Sequence, residues 1–176
     1  MTKYIALLRG INVGGNNKIA MAELKSAFEN YGFKNVITYI NSGNVIFCST
    51  LDEAAVKTEC EKLIEDKFGL EIAVFVVAAQ EFCNAMLSAP AWWNRGNGKH
   101  NAIFVIPPMT SEKAVADMGE PKYEKVTYSG KVVFWSAPLE TFSMTRWAQV
   151  VKHRTVYNAV TIRNANTALK LLELVK

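Results

Sequence analysis

The apolar positions change period repeatedly along the chain, and each change marks an element. Tyr4-Ile5-Ala6-Leu7-Leu8 is a continuous apolar run that ends at Arg9, short enough for a buried strand. From about Ala20 the spacing lengthens. Leu24, Ala27, Phe28 and Tyr31 fall at i, i+3, i+4 and i+7, one stripe of a helix, and Gly32 follows where a helix end favours glycine. Residues 36–40, Val-Ile-Thr-Tyr-Ile, read as a strand rich in β-branched side chains. Asn41-Ser42-Gly43-Asn44 is a tight turn, and residues 45–48 are the return strand of a hairpin. Thr50 and Glu53 have the spacing of a capping box. They open a helix with Val56, Cys60, Leu63 and Phe68 on its inner face, closed by Gly69, and residues 72–77 form the next strand.

This order, βαββαβ, predicts a ferredoxin-like arrangement for the first half. Right-handed crossovers make its first and second strands parallel, and the hairpin makes the second and third antiparallel. The 9–18 loop and the 41–44 turn therefore leave the sheet at the same end. RNA-recognition modules share this fold but expose aromatic side chains on an open sheet face. Here the fourth strand is apolar on both faces, so the sheet reads as largely covered, and no such string occurs.

The second half has a looser pattern. Residues 80–88 continue as a short helix, and residues 92–101 read as a loop from their glycines and asparagines. Trp92 and Trp93, beside Arg95 and Lys99, are suited either to stack on a base or to pin that loop to the core. A strand at 102–106 ends at Pro107-Pro108, and Ser111 is placed to cap a helix running to Gly119. Residues 124–136 form a second hairpin, in which Ser-Gly-Lys-Val-Val-Phe (129–134) echoes Ser-Gly-Asn-Val-Ile-Phe (42–47). The echo points to a second βαββ unit and a distant duplication. Met144, Trp147, Ala148 and Val151 make a helical stripe with Arg146, Gln149 and His153 to one side, and residues 159–167 open a last helix from Ala168 to about Val175. The expected fold is α+β: a ferredoxin-like subdomain at 1–78 packed with a second α+β subdomain at 79–176.

Composition narrows the function. Half of the 176 residues are hydrophobic, enough for a sizeable core. No apolar run reaches the roughly 18–20 residues of a membrane span, so no membrane partner is expected, and the start of the chain lacks a signal-peptide pattern. Three cysteines without metal-type spacing and two distant histidines predict a reducing, cytoplasmic setting and no metal site. Charge is uneven: residues 1–78 carry a net −1 and residues 79–176 a net +5. Residues 141–172 contain no acid yet include Arg146, Lys152, Arg154, Arg163 and Lys170. That is an anion-facing surface or an ordinary solvated basic face.

The chemistry concentrates in three polar segments. The 9–18 loop, Arg-Gly-Ile-Asn-Val-Gly-Gly-Asn-Asn-Lys, is neither a Walker A loop nor a dinucleotide fingerprint, since both lack their defining residues here. Its glycines permit close backbone approach, and Arg9 and Lys18 bring positive charge. Asn12, Asn17, Asn41, Ser42 and Asn44 supply further polar groups at the same end of the sheet. The third segment holds Arg163, Asn164 and Asn166 at a helix start, where free N–H groups favour anions and where an asparagine also serves as a cap. None of the three contains a carboxylate, so paired-acid mechanisms and oxygen-ligated metals lack their groups. No catalytic set and no cofactor motif is found.

Leu-Leu-Arg-Gly-Ile-Asn-Val-Gly-Gly (7–15), Asn17-Lys18-Ile19, Met21-Ala22-Glu23-Leu24, Ser42-Gly43-Asn44-Val45 and Thr161–Thr167, Thr-Ile-Arg-Asn-Ala-Asn-Thr, together resemble the bacterial family called domain of unknown function 1697. The resemblance extends over nearly the whole chain and implies a cytoplasmic α+β protein with a ferredoxin-like part, and no activity. Many members have proline where this chain has Ala20. The expected function is binding, or an unidentified reaction, of a small anionic metabolite such as a nucleotide or phosphorylated compound. The alternative is a nucleic-acid-binding module using the basic second half.

Overall fold

β1 (Thr2–Leu8) is the strand on which the first unit is built. It pairs antiparallel with β3 (Asn44–Ser49) on one side and β4 (Val74–Ala78) on the other. β2 (Lys34–Tyr39) closes the edge beside β3, so the sheet runs β2-β3-β1-β4. β1 and β2, each antiparallel to β3, are therefore parallel to one another. The computed structural model describes all 176 residues. It divides into two compact units, Met1–Phe82 with Val175–Lys176, and Cys83–Leu174.

Helices α1 (Met21–Tyr31) and α2 (Glu53–Phe68) complete the first unit. Leu24, Ala27 and Phe28 are the buried stripe of α1, while Tyr31 stays exposed. They join Tyr4, Ala6, Leu8, Val45, Phe47, Val56, Cys60, Leu63 and Ile64 in one core. Phe28, Phe33 and Phe47 pack ring to ring, with centroids 4.5–5.5 Å apart. Ile5 and Leu7, on the other face of β1, are equally buried, so the strand is apolar throughout. Gly32 and Gly69 end the two helices in the left-handed conformation. The cap of α2 differs from the sequence expectation. Asp52, not Thr50, accepts the Ala55 N–H at 2.9 Å. Glu53 is the first helical residue, and its carboxylate accepts from the Ala78 N–H of β4 instead of reaching back to the cap.

The second unit repeats the order. β5 (Gly98–Val105), α4 (Ser111–Met118), β6 (Lys125–Ser129), β7 (Val132–Pro138) and β8 (Val160–Asn164) give a sheet ordered β6-β7-β5-β8. α3 (Ala79–Leu87) precedes β5, and α5 (Arg154–Asn158) and α6 (Ala165–Val175) flank β8. Ile103, Val105, Ala114, Met118, Val133, Trp135, Trp147, Val150, Val156 and Val160 form its core.

Four local expectations are corrected here. Residues 98–101 are strand, because Gly98 and Lys99 pair with Pro138 and Ala137 of β7. A Cβ at Gly98 would lie 2.5 Å from the Ala137 carbonyl oxygen, so that glycine serves a close strand approach. Thr110 caps α4 by accepting the Lys113 N–H, and Ser111 is the first helical residue. Residues 142–144 and 147–152 are 3-10 turns, not an α-helical stripe. Three-residue spacing buries Trp147 and Val150 and leaves Val151 exposed. Finally, residues 160–164 are a strand before α6, not part of a helix opening.

The strand ladders align the two units residue by residue. Leu8 N–H donates to Gly43 O at 2.8 Å and Arg9 N–H to Ala73 O at 3.1 Å; Val105 N–H donates to Lys131 O at 2.9 Å and Ile106 N–H to Ala159 O at 2.8 Å. Leu7 pairs with Asn44, and Phe104 with Val132. Lys131 thus holds the place of Gly43, one residue away from the alignment that the Ser-Gly echo gives. The turns explain the slip. Four residues, 40–43, link the Tyr39–Asn44 pair, whereas Gly130 and Lys131 alone link Ser129 and Val132. Gly130, with φ +53°, is the first residue of this two-residue turn, where positive φ is favoured.

Candidate functional site

After β1 the chain makes a miniature hairpin. Asn12 N–H donates to Asn17 O at 3.1 Å, and Asn16 N–H to Val13 O at 3.0 Å. Gly14 and Gly15, between them, have φ of +58° and +81°, the two positive values of a type I′ turn. Asn12 and Asn17 at its base also have positive φ, which asparagine tolerates best among side-chain-bearing residues.

The base is fastened by side chains. Asn12 Nδ2 donates to Ile19 O at 2.9 Å and to Asn41 O at 2.8 Å, and its Oδ1 accepts the Ile19 N–H at 2.9 Å. Asn17 Nδ2 donates to Gly10 O at 3.0 Å. The turn after β2 is fastened likewise. The fully buried Asn44 donates to Tyr39 O at 2.8 Å and to Ser42 Oγ at 2.9 Å. The 9–18 loop and the 41–44 turn are therefore brought together, as the strand directions require. At their contact Gly43 admits no side chain: a Cβ there would lie 2.6 Å from Ile11 Cδ1 and 2.8 Å from Leu8 Cβ.

What remains open at this corner is cationic and N–H rich. Lys18 is exposed and pairs with no acid. Arg9 is half-buried and already has a partner within the protein. The backbone N–H groups of Gly14, Gly15 and Lys18 donate to no protein acceptor. No Asp or Glu occurs in residues 9–22 or 34–51.

Arg163, Asn164 and Asn166 belong to the second unit. Asn164 Oδ1 accepts the Thr167 N–H at 2.8 Å, so it caps α6, and Asn166 is exposed. Arg163 is 7% exposed. Its Nη1 donates to Thr161 Oγ1 at 2.8 Å and to Ile162 O at 3.0 Å. Burial lowers its pKa to about 10, so it stays charged at neutral pH. Trp93 is the pin of the 92–97 loop: Nε1 donates to Asn101 O at 2.9 Å and its ring meets Phe134 at 5.1 Å. His100 Nδ1 lies 2.7 Å from Ser136 Oγ, a contact with no carboxylate behind the imidazole to make a triad.

One group escaped the sequence reading. Glu124, 8% exposed, accepts the N–H groups of Arg146 at 2.7 Å, Tyr123 at 3.0 Å and Lys122 at 3.4 Å. It ties residues 122–124 to the start of the second 3-10 turn. The available signal was the long acid-free segment at 141–172, which leaves its backbone donors to an acid from elsewhere in the chain.

Two α+β units of one strand order, the first with a glycine loop bonded onto a hairpin turn, define the class of protein. The chain belongs to the family described as Protein of unknown function (DUF1697), whose model matches residues 1–134. No helix is long and apolar enough to cross a membrane. Among solved structures the chain is similar to the conserved bacterial protein SP0830 from Streptococcus pneumoniae, with 30% identity over 99% of both chains and a TM-score of 0.89. No curated protein matches it.

Proposed function

We propose that the protein binds a small anionic metabolite, phosphate-bearing or nucleotide-like, at the corner formed by the 9–18 loop and the 41–44 turn. The observation that carries this reading is the division of labour among the polar groups. The asparagines are consumed in holding the corner rigid, while Lys18 forms no ion pair and the backbone N–H groups of Gly14 and Gly15 are unpaired. Fixed backbone donors beside cations suit an anion, and a preformed site loses little free energy to ordering.

Thermal unfolding tests the reading, with inorganic phosphate, ribose 5-phosphate and AMP added to wild type, Lys18→Ala and Arg9→Ala. A ligand at about 100 times its Kd stabilises by about 2.7 kcal/mol, a rise of several degrees for a chain of this size. The expected result is a rise with a phosphorylated probe that shrinks in both variants. No rise with any probe, or a rise untouched by either substitution, overturns the reading.

A further inference from the structure

The second unit contains a cleft of about 370 Å3, inside the range of about 300–1,000 Å3 typical of small-molecule sites. Its walls carry Lys122, Arg146, His153, Gln149, Tyr123 and Met144, and no carboxylate side chain. The basic side chains come from segments 24 residues or more apart in sequence, the Lys122 cation on one side and the Arg146 cation with the His153 imidazole on the other. Glu124 holds the two together through backbone N–H groups alone. Its oxygens bond main chain only, and the Lys122 and Arg146 side chains form no ion pair with it. Arg146 Nε donates to Glu120 O at 2.8 Å, which aims the guanidinium while its terminal nitrogens bond no protein group. None of the three basic side chains forms an ion pair.

Two cationic side chains without an ion-pair partner on one concave wall repel each other in the empty protein and attract an anion that enters. A guanidinium with two free nitrogens matches a phosphate edge in bidentate fashion. The wall is also apolar in part. Tyr123 and Met144 are 38% and 46% exposed, and the Lys122 ammonium lies 5.2 Å from the Tyr123 ring centroid. A planar ring would stack on the tyrosine, and the methionine thioether adapts to such a neighbour. Gln149 is oriented at the cleft by its bond to Ser143 O at 3.1 Å and by Lys152, which donates to its oxygen at 2.9 Å.

We propose that this cleft is a second binding site, separate from the loop corner of the first unit, for a phosphorylated small molecule bearing a planar ring, of the size and chemistry of a mononucleotide. Arg146 and Lys122 receive the phosphate, with His153 beside them, and Tyr123 receives the ring.

The experiment is calorimetric titration of the full chain with AMP, inorganic phosphate and adenosine. The variants are Lys122→Ala, His153→Ala, Tyr123→Ala and, for the other site, Lys18→Ala. Lys122 and His153 make no side-chain hydrogen bond, so their removal breaks no polar bond of the fold. AMP is expected to bind more tightly than either part alone. Lys122→Ala should weaken it about tenfold, the size of a lost charge-assisted contact, and His153→Ala, which removes one hydrogen-bonding group, by less. Tyr123→Ala should weaken AMP while leaving phosphate unchanged, and Lys18→Ala should leave the AMP affinity of the cleft unchanged. Absence of AMP binding at millimolar concentration overturns the proposal, as does an affinity equal to that of phosphate. Loss of AMP in Lys18→Ala but not in Lys122→Ala would place binding at the corner and overturn it too. A short oligonucleotide bound more tightly than AMP would overturn the small-molecule reading of the cleft.

Discussion

The side-chain amide of Asn12 donates to the main-chain oxygen of Asn41 across 2.8 Å, joining segments that the sheet delivers to one end. The same nitrogen also serves Ile19 O. Asn12→Asp keeps the size and the acceptor but turns a carboxylate oxygen toward two carbonyls. The expected loss is about 1–3 kcal/mol in urea unfolding, the cost of unmade polar partners. An Asn12→Asp protein as stable as wild type would show that these bonds contribute nothing.

Gly43 and Gly14 separate two causes of glycine dependence. Both have positive φ, but only Gly43 has neighbours that a methyl group would strike, at 2.6–2.9 Å in Ile11 and Leu8. Gly14→Ala is expected to lose about 1–2 kcal/mol from the left-handed backbone alone. Gly43→Ala should lose more by a further 1–3 kcal/mol, roughly the cost of overpacking. Equal losses, measured by chemical denaturation, would mean that the contact relaxes freely.

Removing Glu124 leaves the N–H groups of Arg146 and Tyr123 without their partner. Glu124→Ala should destabilise the protein by about 1–3 kcal/mol, and Glu124→Gln, which retains one acceptor oxygen, by less. Hydrogen exchange gives the local readout: the Arg146 and Tyr123 amides should exchange faster in Glu124→Ala. Unchanged exchange at both would contradict the role given to this carboxylate.

Cys60 is fully buried on α2. Burial pushes its thiol pKa up, and the nearby Glu61 and Glu59 add to the effect. The thiolate is the reactive form, so Cys60 should resist alkylation at pH 8 in the native protein and react after denaturation. Peptide mass spectrometry distinguishes the two; rapid native labelling at Cys60 would show that α2 opens readily.

The first unit was largely legible because its signals are local. The α1 stripe, Gly32, Gly69 and the β-branched strands each act within a few residues, and the crossover rule turned their order into the meeting of loop and turn. The inner bonding of that corner was less legible, since Asn12, Asn17 and Asn44 look alike in sequence whether they face solvent or the backbone. In the second unit the decisive information is remote. Gly98–Asn101 becomes strand because β7 lies beside it, and the buried Arg163 sits on a strand that pairs with the distant Ala102. The cap of α2 shows the finer limit: Thr50 and Asp52 are both competent caps, and the contact of Glu53 with Ala78 favours the later start.

The slip between the two hairpins has a consequence for reading one unit from the other. In a strand, neighbouring residues belong to opposite layers. Phe47 lies in the helix-side core of its unit, and its ladder counterpart is Trp135, although the text of the sequence sets Phe134 against it. Phe134 instead meets Trp93. A tolerance to substitution learned at Phe47 therefore transfers to Trp135, and any inheritance of roles between the halves must follow the hydrogen bonds, not the letters.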